Sequence, residues 1–513
     1  MTLENQDPTQ TYDIVMSEAS HLTNNTHSNT TTTTTTTCPH RPCHSNVTMF
    51  TSRSVTLKSS TMEQQELIPP VLLPFSTTTT NTNSTHYPFH FNHHHYQYED
   101  HNNDMTLMHI DHNEKKIDFM TYLPCELVLQ IITLMDVHSL VTMSGVCRTW
   151  YVLSRNNDIW RWRLSEMHWL PEPTTTTTTT TGSLPSEEKK TIHGVVQQQQ
   201  QQEGINWHYW FKQRYQLERR WMLGQVSTHY LLGHYDSVYC LQFDEQRIIT
   251  GGRDCTIKFW DMNTYECTHT LRGHEGSVLS LQYNNTWMVS GSSDKTVVVW
   301  NMTTLEPVRR LTGHEGGVLD VSFDDRYIIS CSKDKSIRIW NIETGELVRT
   351  IYAHRGPVNA VQLRGNQVVS ASGDALIKMW DIRTGECIRE FVGHGRGLAC
   401  VQFDGQRIVS GSNDRTIKVW DVESGECLMS CEGHQDLVRT VHFDNDRIVS
   451  ASYDQSIRVW DMKTGTCLLD FQNAHTSWIF DVRFDKNRIV SASQDHRVMV
   501  MDFSTGLDTS IFS

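Results

Sequence analysis

Hydrophobic and polar residues follow different periods in different stretches of the chain, and the longest coherent stretch is the last half. From about Tyr230 onward apolar residues recur at period two in short runs such as SVYCLQF, RIITGG and TIKFW, with Ile257/Phe259, Ile337/Ile339 and Ile417/Val419 as apolar pairs. Such alternation predicts short, half-buried strands. The runs belong to a unit of roughly forty residues that returns seven times, and self-similarity at that period predicts a repeat architecture.

Upstream the period changes. Leu127, Ile131 and Leu134, then Leu140, Val141 and Ser144, then Val146, Trp150 and Leu153 stand at helical spacing, which predicts three short amphipathic helices between 118 and 164. Pro124 suits a first helical turn, and 136–139 reads as a break. A second helical pattern, INWHYWFKQRYQLERRWMLG over 205–224, is strongly aromatic and ends at a Gly. Residues 1–115 and 165–204 show no apolar period and contain homopolymers such as Thr30–Thr37, Thr174–Thr181 and Gln197–Gln202. Too little apolar surface is available there to offset ordering entropy, so a disordered arm and a low-complexity linker are expected.

The repeats, over 225–513, are punctuated in register. His234, Thr250, Asp254 and Trp260 mark the first copy, and equivalents recur in the next five; the seventh keeps His475, Ser491 and Asp495 but has Met501 where the others have Trp. The set can form a relay from indole N–H to hydroxyl, hydroxyl to imidazole and imidazole to carboxylate. Stranding one buried partner costs about 1 to 3 kcal/mol. A catalytic triad is needed once, whereas this set appears in every copy, so these are residues of the fold and no catalytic residue is expected.

Four short strands per unit with Gly-His and Trp-Asp punctuation resemble the WD-repeat family. The resemblance implies a mainly β fold, a seven-bladed β-propeller preceded by the small all-α segment and a helical connector. Because little strand-forming sequence follows Phe503, QVSTHYLL ahead of His234 is expected to supply the outer strand of the last blade, leaving no open edge.

The helical segment is too small to be stable with all its apolar surface uncovered, so a partner should cover part of it. In order, Leu123, Pro124, Glu126, Leu127, Ile131, Leu140, Val146, Cys147, Arg148, Trp150 and Trp160 resemble the F-box family. That resemblance implies a Skp-family adaptor bound through Leu123, Pro124, Glu126, Leu127, Ile131, Leu140, Val146, Cys147 and Trp150, and a cullin reached through the adaptor. In F-box/WD-repeat proteins a helical connector such as 205–224 spaces the propeller from the adaptor.

A formal charge of −14 argues against general affinity for nucleic acid or anionic membrane, so any basic site must be local. No apolar run reaches membrane length and the amino terminus has no charged-then-apolar leader, so a cytosolic or nuclear protein is expected. Cys267, Cys387, Cys427 and Cys467 fill one equivalent slot in different repeats and read as small buried apolar residues of a reducing compartment. CPHRPCH at Cys38–His44 and the cluster His93, His94, His95 could bind zinc, but the spacing fits no standard finger, and no metal or cofactor is expected. LIPPVLLPF, Leu67–Phe75, could be a docking peptide or an incidental apolar patch.

Near-copies can be compared with one another. The slot before the repeated Asp holds Arg253, Ser293, Lys333, Gly373, Asn413, Tyr453 and Gln494, and the slot five after the His holds Tyr239, Leu279, Leu319, Asn359, Ala399, Arg439 and Phe480. Arg253, Lys333 and Arg439, with Arg396 nearby, would gather positive charge suited to phosphate or paired carboxylates, or else form a solvated set of rim charges. Strings such as GSVLSLQY, CSKDKSI, RGLAC and LVRTVHFDNDRIVSASYD resemble the β-transducin repeat-containing type of F-box protein. That type captures a doubly phosphorylated Asp-Ser-Gly-x-x-Ser degron for ubiquitination. Carried over, Tyr239, Arg253, Ser277, Ser293 and Lys333 would cradle the first phosphate, Arg396 and Gly397 the second, and Asn359, Arg439 and Tyr453 the acidic residue and backbone. Asn413 joins the contact set where the family has Ser, while Ala375 and Trp478 replace two of its Arg residues.

The implied function is that of a non-catalytic substrate receptor of a Skp–cullin–F-box ubiquitin ligase. A WD-repeat scaffold without a ubiquitin role, and an enzyme using the His/Asp sets, are the two alternatives.

Overall fold

Period-two runs of β-branched and aromatic residues become strands where each can lay one face on a neighbouring sheet, and here every run finds such a neighbour. The computed structural model describes residues 122–170 and 205–511. Within them, Ser227 to Asp502 forms seven four-stranded antiparallel sheets. The first blade is Val238–Phe243, Arg247–Gly252, Thr256–Asp261 and Cys267–Arg272, in that order from the centre outward, and the next five repeat it. The blades are numbered one to seven from His234 to His475.

Blade 7 closes the ring. Its inner strands are Ile479–Phe484, Arg488–Ser493 and Arg497–Asp502, and its outermost strand is Ser227–Leu232 from the start of the domain, paired from Ser227↔Asp502 to Leu232↔Arg497. The expected closure by QVSTHYLL is thus present, and Arg497–Asp502 is paired on both sides.

Six relays form in full, and the seventh forms without its indole. In blade 3, His314 Nδ1 lies 2.7 Å from Asp334, His314 Nε2 lies 2.9 Å from Ser330 Oγ, and the Trp340 indole N–H donates to Ser330 Oγ at 2.9 Å. Blade 7 keeps His475 to Asp495 at 3.0 Å and to Ser491 at 2.8 Å, without an indole donor. Burial alone would raise these carboxyls, but the imidazole and backbone hydrogen bonds outweigh it, and Asp254 and Asp334 fall well below the usual carboxylate range. Asp495 is lowered to about 2.

The row of cysteines is placed differently from expectation. Cys267, Cys387, Cys427 and Cys467 are free and exposed, whereas Cys240, Cys331, Cys400 and Cys431 are buried. Each exposed cysteine opens the outermost strand of its blade, where no further strand covers the sheet, so a shared slot carries no burial with it.

Among the described residues, four helices rather than three make the segment up to Glu166: α1, Cys125–Leu134; α2, Val137–Met143; α3, Arg148–Ser154; and α4, Asn157–Glu166. Asp136 does not extend a break but caps α2, its carboxylate accepting from Ser139 N–H at 3.1 Å. Asn156 caps α4 in the same way, through Asp158 N–H at 2.9 Å. Val128, Ile132, Leu140, Leu153, Trp160 and Leu164 fill the small core, and the Trp160 indole donates to Ser154 O at 2.7 Å.

The connector is one helix, α5, Trp207–Leu223, capped by Asn206 and ended by Gly224 in the left-handed conformation at φ 64°. Its first turns join the helical module: Phe211 lies in that core, and Asn157 bonds both Ile205 O at 2.8 Å and Trp207 N–H at 2.7 Å. Its last turns join the propeller: Leu217 and Trp221 lie in the core of blades 6 and 7, and Arg220 donates to Phe503 O and Thr505 O, each at 2.8 Å. Glu218 is ion-paired to Arg214 on its own helix and to Arg447 of blade 6. The expected linker starts later than 165: Ser165 and Glu166 finish α4, and Met167, Trp169 and Leu170 pack on the module's core. The arm, residues 171–204, the two metal-ligand clusters and LIPPVLLPF lie outside the described residues.

Candidate functional site

Each blade carries a β-bulge in its innermost strand, between Val238 and Cys240 in blade 1 and at the equivalent place in the other six. A bulged residue has no partner across the ladder, and its side chain is re-aimed. The bulged residues are Tyr239, Leu279, Leu319, Asn359, Ala399, Arg439 and Phe480, the slot read from the sequence as variable, and all seven line the central channel. Variation is permitted there because the ladder does not depend on that residue.

The second variable slot is held by a turn. Arg253 N–H donates to Ser237 O at 2.8 Å, Ser293 to Ser277 at 3.0 Å, Lys333 to Gly317 at 3.0 Å, Asn413 to Gly397 at 2.9 Å and Tyr453 to Leu437 at 3.1 Å. A third ring of positions, three residues after each His, is therefore locked to the second. Ser277, Gly397 and Trp478 belong to it. Reading two slots missed this ring as a class; its equal spacing from each His was the available signal.

Next to the bulges, inside the channel, Asp320 and Asp481 are half-buried, and removal from water is the chief cause that raises their carboxyls. Asp320 accepts from Ser280 Oγ at 2.6 Å and from Val361 N–H at 2.9 Å, and Asp481 from Leu241 N–H at 2.9 Å and Thr440 Oγ1 at 3.1 Å. They tie neighbouring blades together. Farther along the same strands, Gln242 and Gln282 accept from the next blade's Tyr283 and Phe323 N–H at 2.7 and 2.8 Å, and His442 Nδ1 meets Phe484 N–H at 3.5 Å.

Of the residues predicted from the sequence, Tyr239, Asn359 and Arg439 meet in the channel. Arg439 lies against the Tyr453 phenol, which burial raises, and donates to Ala399 O at 3.4 Å. Asn359 Nδ2 donates to Leu398 O at 2.6 Å, but its Oδ1 is buried with no partner among the described residues. Ser293 Oγ is orphaned in the same way. An unmet buried polar atom costs about 1 to 3 kcal/mol, so each wants a ligand group or water. Arg253 is 3.7 Å from Asp236, and Arg396 is exposed on the rim. The turn and bulge positions are thus one surface, with cations on blades 1, 3, 5 and 6.

On the helical module, Pro124, Glu126, Val146 and Cys147 are exposed and Leu123 and Trp150 half-buried. Leu127 and Ile131 are 45% and 38% exposed, and Leu134, Val141 and Val146 share that openness. Leu140 departs from its predicted role: it is fully buried in the module's core and cannot touch a partner. The helical stripe Leu127/Ile131/Leu134 is the outer face of α1, while Val128 and Ile132 make the inner one. No group of His, Cys, Asp and Glu suited to a metal occurs among the described residues, and no described helix is long and apolar enough to cross a membrane.

Comparison with known proteins matches residues 225–461 to six copies of the WD domain, G-beta repeat, and residues 120–164 to the F-box-like family. The three inner strands of the seventh blade, with Met501 for Trp, fall outside the matched copies, while its outermost strand lies in the first. Similar curated proteins include the probable E3 ubiquitin ligase complex SCF subunit sconB of Arthroderma otae, 32% identical over 158 residues, covering 29% of this chain and 23% of that one. An F-box protein of Saccharomyces cerevisiae is 31% identical over 153 residues, covering 29% and 24%. The matches thus span about a quarter of the length of these relatives. A solved structure of the computationally designed Ika8 protein is 34% identical, with a TM-score of 0.47, covering 53% of this chain and 85% of that one.

Proposed function

With an F-box-like segment ahead of WD repeats, the chain is an F-box/WD-repeat protein, and we propose that it is the substrate receptor of a Skp–cullin–F-box ubiquitin ligase that holds phosphorylated peptides at the propeller rim. The observation that carries the reading is the pairing of two open surfaces across one helix. At one end α1 presents Leu127, Ile131 and Leu134 to solvent from a module with a small core, the sort of apolar face a partner covers. At the other end the rim carries Arg253, Lys333, Arg396 and Arg439 together with unmet polar atoms on Ser293 and Asn359. Guanidinium and ammonium groups with adjacent hydroxyls suit phosphate.

The receptor makes and breaks no covalent bond. A Skp-family adaptor docks on the F-box and links it to a cullin; the propeller holds the target, and substrate lysines gain effective concentration near a ubiquitin-charged enzyme. The sconB relatives are named as SCF subunits, which supports the same reading here.

The test is to express the full chain with a Skp adaptor and a cullin and titrate the complex with matched phosphorylated and plain Asp-Ser-Gly peptides. Co-purification and a phosphate-dependent affinity are expected. Capture of neither adaptor nor cullin would leave a plain WD-repeat scaffold as the better account.

A further inference from the structure

We propose that the rim also reads a flat apolar side chain close to the anionic one, and that Trp478 is the residue that reads it. The inference rests on the phosphopeptide reading above and narrows the class of peptide held.

Trp478 stands on blade 7, where its backbone carbonyl accepts from Gln494 N–H and Ser493 Oγ, each at 2.9 Å. Its ring stacks across the blade boundary on Tyr453, 4.7 Å between centroids and 9° between planes. Tyr453 meets Phe480 edge-on at 5.9 Å, and Phe480 lies 4.8 Å from Tyr239. Blades 6, 7 and 1 therefore contribute one aromatic ledge. Its inner members are buried, Phe480 at 3% and Tyr453 at 9% exposure, while Trp478 remains partly exposed. The indole N–H of Trp478 has no hydrogen-bond partner among the described residues.

A rigid ring with one face supported and part of its surface in water offers contact area at little entropic cost. What it accepts follows from its surroundings. The face of an aromatic ring is electron-rich and disfavours an anion, so a second negative group is unsuited to this place. An aromatic or proline ring stacks well there. The Arg439 guanidinium lies against the Tyr453 hydroxyl, so one tyrosine of the ledge stands between that cation and Trp478. An extended peptide advances about 3.3 Å per residue, which places the flat side chain within about two residues of the anionic one.

The experiment offers the full-length protein an Asp-phosphoSer-Gly peptide library in which each flanking position is varied through Phe, Trp, Pro, Ala and Glu. One flanking position should favour the flat residues over Ala and Glu by about three- to tenfold. Trp478→Ala should level that column and leave the others unchanged, and Trp478→Phe should keep it. Trp478→Leu, which retains bulk over Tyr453 without a flat face, is the second variant and should also level it. A wild type without such a column, or variants that keep it, would overturn the inference alone. Equal recovery of the library with and without phosphate would overturn the phosphopeptide reading, and with it the anionic neighbour proposed here.

Discussion

Trp221 of the connector helix lies parallel to Phe503 at the end of the ring-closing blade, 3.7 Å between ring centroids and 11° between planes. Its indole N–H donates to Lys486 O at 2.9 Å, and Arg447 sits 4.8 Å over its ring. The helix that starts in the F-box core therefore ends inside the propeller core, so the two modules share an element rather than a tether.

Trp221→Ala should release that end of the helix. Emptying a buried Trp site costs about 3 to 5 kcal/mol. Thermal unfolding should split into two transitions, and proteases should cut near Gly224. Peptide affinity should be unchanged while ubiquitin transfer falls, as measured on the reconstituted complex.

The two faces of α1 and its neighbour should separate by substitution. Leu127→Asp with Ile131→Asp alters exposed positions, where a change is usually within about 0.5 kcal/mol of neutral, so melting should barely move while adaptor co-purification is lost. Leu140→Ala should do the reverse first, costing about 2 to 5 kcal/mol by opening the core.

The relays allow an internal control. Ser330→Ala strands both the Trp340 indole and the His314 ring nitrogen, whereas Ser491→Ala strands only His475 because Met501 offers no donor. At about 1 to 3 kcal/mol for each unmet group, Ser330→Ala should lower the urea midpoint more than Ser491→Ala. Equal shifts would show that the indole bond contributes nothing measurable.

His442 should contribute to acid sensitivity, as should His208, whose imidazole burial also lowers. Burial, with the charge of Arg483, lowers the His442 imidazole to about 3. A group with a depressed folded value stabilises the fold above its unfolded value, about 6.5 for histidine, and that stability is lost as pH falls toward the folded one. The seven relay carboxylates follow the same rule in a lower window, from about 4 downward. Asp320 and Asp481, with raised carboxyls, oppose them: their contribution is present at low pH and lost as pH rises. His442→Gln keeps an acceptor for Phe484 N–H, as Gln242 does for Tyr283. Denaturant midpoints should then fall less between pH 6.5 and about 4.5 in the variant than in the wild type.

At the rim, Arg253→Ala should weaken a phosphorylated degron by about ten- to hundredfold, since a hydrogen bond to a charged group contributes about 1.5 to 3 kcal/mol. The plain peptide should be indifferent. Asp236→Asn, which frees Arg253 from its ion pair, should instead tighten phosphopeptide binding. Salt should weaken the wild type more than Arg253→Ala. Ala375→Arg is expected to fold, because the left-handed position it occupies at φ 68° is filled by Lys295 and Arg415 in other blades, and it should strengthen binding of a second phosphate.

The blades were legible because strand period, relay residues and blade boundary repeat together: His314, Ser330, Asp334 and Trp340 could be assigned partners from spacing alone. The lack of strand-forming sequence after Phe503 signalled a blade finished from elsewhere in the chain, and Ser227–Leu232 finishes it. Exposure was not legible in the same way. Cys267 and its equivalents share a slot, but the slot lies on a strand with one neighbour. Leu127 and Leu140 both read as helical apolar positions, and only the packing of α1 and α2 turns one outward and the other in. The stacking of Trp478 on Tyr453 joins residues of different repeats, a relation that no comparison of slot with slot contains.

The strand Ser227–Leu232 is made before any blade and placed after all of them. During synthesis α5 can settle into the helical module, but Leu217 and Trp221 have no seat until residues through Phe503 have emerged, and Ser227–Leu232 waits with its pairing groups unmet until Arg497–Asp502 arrives. Long-range pairing of that kind is slow and leaves an exposed edge on the ribosome. A chain truncated within the last blade would therefore lose the ring's closure and the seat of its connector together, and would emerge as a client for chaperones instead of a receptor missing one strand.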